Sequence, residues 1–153
     1  MSFLLLALVG ATSGVSAESA IQKYCEPLIS GVSATRLEAN LLAEGFSREV
    51  LAGQRVLRQG ELIVGLSDAQ KVCFIQAPIS MSVAQGFAIA DRWARRIPGA
   101  VRSPATKGPD GASVRGWSAP SKKMGLIASQ QTSASGQKVM AFVLMPLPKR
   151  AAR

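Results

Sequence analysis

The sequence predicts an α+β fold: an antiparallel sheet of about five to six strands, with two N-terminal helices and one long central helix packed on it. Three observations lead there. Segments following Ser33 and Ser82 carry helix caps and apolar residues at helical spacing. Short runs rich in Val, Ile and Leu recur between Gln54 and Ile79 and again between Ala112 and Met145, with turn residues between them. The order (helices, strands, a helix, strands) also lacks the strict alternation of parallel α/β proteins.

Residues 1–17, MSFLLLALVGATSGVSA, join a short apolar run (Phe3 to Val9) to a small-residue ending at Val15-Ser16-Ala17, the pattern of a cleavable signal peptide. The run is shorter than the roughly 20 apolar residues of a bilayer span. No Lys or Arg precedes it, and no cysteine stands at the cut to take a lipid anchor. Cleavage near Ala17 would deliver a periplasmic or secreted chain without a transmembrane segment. Residues 18–148 then form a single domain, and residues 149–153 a basic C-terminal tail. Hydrophobic residues make up 48% and charged residues 18%, a globular rather than a disordered balance.

Glu18 to Ser30 reads as a helix through Ile21, Tyr24, Cys25 and Leu28, kinked or ended by Pro27. Ser33 caps a second helix that presents Leu37 and Leu41 on one face. Gly45 stops it, with Phe46 placed to contact Leu41 in a Schellman ending. Ser47 to Leu57 fits either a short helix or an irregular strand, and the strand reading is taken for its second half. Residues 54–66 read as a hairpin, and Lys71 to Ile79 as a strand apolar on both faces. Ser82 and Gln85 form a capping box for the long helix, which lays Val83, Phe87, Ala90, Trp93 and Ile97 along one stripe before Pro98-Gly99. Asp91 can pair with Arg95 at i+4. Ala100 to Gly111 is a Pro- and Gly-rich loop. Ala112 to Ser118, Lys123 to Gln131 and Lys138 to Met145 follow as strands, the last apolar on both faces.

Two cysteines in an exported chain predict a Cys25–Cys73 disulfide. No metal site is expected, because two thiolates without any histidine cannot complete a tetrahedral zinc shell. The absence of histidine also removes the commonest general base and the usual partner of Ser and Cys nucleophiles. No catalytic residue and no cofactor is therefore expected. A hydrolase using a Ser/Lys or carboxylate site is a distant alternative, with Lys71, Lys122 and Lys123 among the available lysines. Met81, Met124, Met140 and Met145 read as core filling rather than as thioether ligands.

Charge is the strongest compositional signal. Residues 18–91 hold 6 basic and 8 acidic side chains, whereas residues 92–153 hold 12 basic side chains and Asp110 as their only carboxylate. Such segregation favours an anionic partner: lipid, lipopolysaccharide or an acidic protein. Arg92, Arg95, Arg96, Arg102, Lys107, Arg115 and Trp117 are the candidate contacts, with Trp117 placed on a polar strand face. The helix arginines have a second use, since cations in the last turns offset the negative end of the helix dipole. Nucleic acid is not expected in an exported chain with so few aromatic residues. The sequence thus points to a small exported, non-enzymatic protein that meets an anionic envelope component through its basic half. An accessory subunit docking through its apolar last strand is the alternative; homo-oligomerisation has no support in the residues.

Overall fold

A computed structural model describes residues 14–108 and 110–149, in which the chain builds three helical rods and nine strands. The apolar run Phe3 to Val9 and the tail beyond Lys149 lie outside the described residues. The class is α+β with an antiparallel sheet, as the sequence indicates, but the sheet is larger than expected.

The first rod begins at Ser16, whose hydroxyl accepts a hydrogen bond from the Ser19 N–H. It runs through α1 (Ala17–Ala20), a π turn (Ile21–Cys25) and α2 (Glu26–Ile29). Pro27 neither ends nor breaks it. A proline ring in a regular helix would clash with the carbonyl four residues back, and a π turn is one of the few ways to widen the rod locally. Helix α3 (Ala34–Ala43) is capped by Ser33 and closes as its sequence indicates: the Phe46 N–H donates to the Leu41 carbonyl at 3.1 Å, the Gly45 N–H to the Leu42 carbonyl at 3.1 Å, and Gly45 takes φ 95°. The long helix α4 (Val83–Arg95) starts with the reciprocal Ser82–Gln85 capping box.

The strands are β1 (Ser47–Leu51), β2 (Gln54–Gln59), β3 (Leu62–Ser67), β4 (Val72–Gln76), β5 (Val101–Arg102), β6 (Thr106–Lys107), β7 (Ser113–Ala119), β8 (Met124–Thr132) and β9 (Lys138–Pro146). Every pairing is antiparallel, in the order β1-β2-β3-β4-β9-β8-β7-β5, with β6 also on β7. Two meanders therefore join through their last strands, with Cys73 opposite Leu144 and Ile75 opposite Phe142.

Three expectations need correction. The first half of Ser47–Leu57 is also a strand, because Ala52 and Gly53 both take positive φ (47° and 76°) and turn β1 back on β2 in two residues. The Ala100–Gly111 stretch is not structureless, since β5 and β6 each pair with β7 over two residues. These additions raise the strand count from about five or six to nine.

All three rods pack on one side of the sheet. Alternation sends Leu57, Val64, Ile75, Leu126 and Phe142 into that core beside Tyr24, Leu28, Leu41 and Trp93. The disulfide is formed: Cys25 and Cys73, both buried, are bonded with their Cα atoms 5.1 Å apart, which ties the first rod to β4. Gly86 lets α4 lie close to β9, because a Cβ there would stand 2.6 Å from Met140 Cε. Among the described residues, no helix is long and apolar enough to cross a membrane.

Among the described residues, the opposite side of the sheet carries no helix. On β4, β8 and β9 its outward residues are Val72, Phe74 and Gln76; Gly125, Ile127, Ser129 and Gln131; and Val139, Ala141, Val143 and Met145. None is charged.

Candidate functional site

Helix α4 places Asp91 and Arg95 one turn apart, above the point where β5 and β7 pair Arg102 with Trp117. The Trp117 Nε1–H donates to Asp91 Oδ1 at 2.9 Å, and Arg102 Nη1 donates to Asp91 Oδ2 at 3.4 Å. Arg95 does not pair with the Asp91 carboxylate. Its Nε donates to the Asp91 carbonyl at 3.4 Å, because indole and guanidinium from the sheet already occupy the carboxylate. Asp91, Ala94, Arg95, Ala100, Arg102 and Trp117 line an open recess of about 350 Å³. Its rim carries Arg95 and the Asp91-paired Arg102, and Trp117 lies at its floor.

Trp117 is not the exposed ring on a polar strand face that its alternation suggests. It is 2% exposed, and Phe87 meets it edge-on with centroids 6.0 Å apart. Arg115 continues this row, its guanidinium 5.3 Å from the Phe87 centroid and its buried Nε without a hydrogen-bond partner among the described residues. The polar surroundings in the sequence thus belong to a strand that α4 covers.

The remaining candidates are held elsewhere. Arg92 reaches back to the first rod and donates twice to Glu18, both at 3.0 Å, which holds the Glu18 carboxyl below the usual carboxylate range. Arg96 lies 3.8 Å from Glu26, which also accepts the Trp93 Nε1–H at 2.8 Å. The Trp93–Glu26–Arg96 and Trp117–Asp91–Arg102 sets repeat one device: an indole N–H fixes a carboxylate, and the carboxylate holds an arginine. Lys107 sits on the edge of the sheet and donates to Ser113 Oγ at 3.0 Å. The structure therefore brings together Arg95, Arg102 and Trp117, and it places Arg92 and Arg96 against the first rod.

No group of three or more His, Cys, Asp or Glu suited to a metal occurs among the described residues. Lys71 pairs with Asp68 at 3.2 Å, and Ser121 Oγ donates to the Pro98 carbonyl at 3.1 Å. The Ser–Lys hydrogen bond found among the described residues, Lys107 with Ser113, is at an exposed position.

A second concavity lies on the helix-free face. Two cavities of about 280 and 360 Å³ share Leu51, Gln76, Ser133 and Ala134 and form one groove. Val56, Ile63, Gly65, Phe74 and Val139 contribute to its floor. The sequence signal for it was present in β4 and β9, both apolar on both faces, and in Gly65, which leaves a gap in β3.

Comparison with known proteins finds no matching family model, no matching curated protein and no matching solved structure.

Proposed function

We propose that this is an exported, non-enzymatic binding protein that engages an anionic envelope component, a lipid headgroup or lipopolysaccharide, through its basic C-terminal half. The observation that carries the reading is the pairing of Arg95 and Arg102 on the rim of a recess floored by a fixed indole. Charge supports it too. The carboxylates that pair with Arg92, Arg96 and Arg102 all come from the first half of the chain, and the second half supplies only Asp110. A positive field on this side would attract anions over about a Debye length and weaken with salt.

Retention on vesicles of anionic phospholipid and on lipopolysaccharide, measured at low and high salt, tests the proposal. Binding that falls with salt, and that an Arg95→Glu, Arg102→Glu variant loses by tenfold or more, supports it. Retention unchanged by salt or by the charge reversals removes it.

A second reading, an accessory subunit docking through the last strand, is favoured by the outward, half-buried Val143 and Met145 of β9. Light scattering and crosslinking that show a strict monomer with no partner would end that reading.

A further inference from the structure

We infer that the leader is cut at a bond between Gly10 and Val15, upstream of the Ala17 ending, and that Val15, Ser16 and Ala17 belong to the mature domain. The inference rests on the export reading proposed above and moves the boundary which that reading sets.

Residues 15–17 are built into the fold. The Ser16 hydroxyl accepts the Ser19 N–H at 3.1 Å, and the Ser16 carbonyl accepts the Ala20 N–H at 2.9 Å and the Ser19 hydroxyl at 3.0 Å. Ser19 returns the favour, its Oγ accepting the Ser16 N–H at 3.1 Å to complete a capping box. Ala17 is 4% exposed within the core, and Val15 packs against that core from outside. Gln59 at the end of β2 acts as a clamp for the same segment. Its Oε1 accepts the Val15 N–H at 2.9 Å, while its Nε2 donates to the Glu44 carbonyl at the end of α3 at 2.8 Å. One side chain thus ties the start of the first rod to the end of the second.

A cut after Ala17 would undo these contacts together. It removes the acceptors of the Ser19 and Ala20 N–H groups, takes the Ala17 methyl out of the core and leaves the Gln59 amide oxygen without its partner. It also sets the new ammonium of Glu18 at the positive end of the rod, where a cation is unfavourable. A cut upstream of Val15 keeps every one of these contacts. The sequence offers such a cut, because Val9-Gly10-Ala11 has the same ending as Val15-Ser16-Ala17, and residues 10–14 (GATSG) are all small, as the cleavage pattern requires. Two similar endings stand six positions apart, and the fold needs the residues of the second. The step is hydrolysis of one peptide bond: water adds its hydroxyl to the upstream carbonyl and a proton to the downstream nitrogen, which becomes the new amino terminus.

The test expresses the full chain in a Gram-negative host and reads the amino terminus of the periplasmic product by intact mass and N-terminal sequencing. The expected product starts between Ala11 and Val15. A start at Glu18 overturns the inference and leaves the export reading standing, as does an uncut chain in the periplasm. An uncut chain that stays in the cytoplasm overturns both. Ser16→Ala gives a second readout on the purified mature protein, since loss of the cap should lower its urea midpoint by roughly 0.5 M. An unchanged midpoint, or a mature variant with the mass of the unsubstituted protein and therefore without residue 16, overturns the inference.

Discussion

At the scale of single residues, the molecule spends its few carboxylates with care. Glu18, Glu26 and Asp91 each hold an arginine, and two of the three also accept an indole N–H. Asp68 accepts the Ala34 N–H at 2.9 Å and pairs with Lys71, and these two contacts hold its carboxyl below the usual range as Arg92 does for Glu18. A carboxyl depressed in the folded state contributes stability that is present above its unfolded pKa of about 4 and is lost as pH falls through the lower folded value. Urea midpoints should therefore stay level from pH 7 to about 5 and fall below about pH 4. A Glu18→Gln, Asp68→Asn variant should start lower and fall less. Ala52 offers an opposite opportunity, since it holds φ 47° where hairpin turns prefer Asn before Gly. Ala52→Asn is expected to stabilise the protein by about 1 kcal/mol in urea unfolding.

At the scale of elements, what could be read from the sequence was whatever is decided within a few residues. Ser33 and Gly45, and Ser82 with Gln85, fix the ends of α3 and α4 by local hydrogen bonds, so their signatures survive in sequence. Strand β1 was hidden because its two-residue turn puts Ala52, rather than Asn or Asp, before Gly53. Strands β5 and β6 were wholly hidden, because two-residue ladders take their hydrogen bonds from β7 and leave no period of their own. The candidate site shows the same limit. The basic residues were countable, but Arg92 is committed to a carboxylate 74 positions away, which no local pattern reports. The approach of α4 to β9 is a further tertiary matter, and it can be measured. Gly86→Ala gains about 1 kcal/mol of helix propensity but drives its methyl into Met140. In chemical denaturation, Gly86→Leu should cost about 1–3 kcal/mol, and Met140→Ala in the same chain should recover part of that loss.

At the scale of the whole molecule, one covalent link and one ladder hold the halves of the fold in place. The Cys25–Cys73 bond fastens the first rod to a central strand across 48 positions. Its loss, by reduction or as a Cys25→Ala, Cys73→Ala variant, is expected to lower unfolding free energy by about 2–5 kcal/mol, read as a shift in urea midpoint with and without dithiothreitol. That bond lies entirely within the first half of the chain, so the sequence could suggest it from the cysteine count. The seam between β4 and β9 could not be read in the same way, because it joins Cys73 to Leu144 with no covalent or local trace. Its consequence concerns time rather than shape. The first meander and its disulfide can form from the first half alone, and β7 and β8 can pair without it, yet each assembly ends in an unpaired strand edge until β9 arrives. Strand β9 is thus the one that closes the middle of the sheet, and a chain lacking it would carry β4 and β8 as two bare apolar edges that invite pairing with its neighbours.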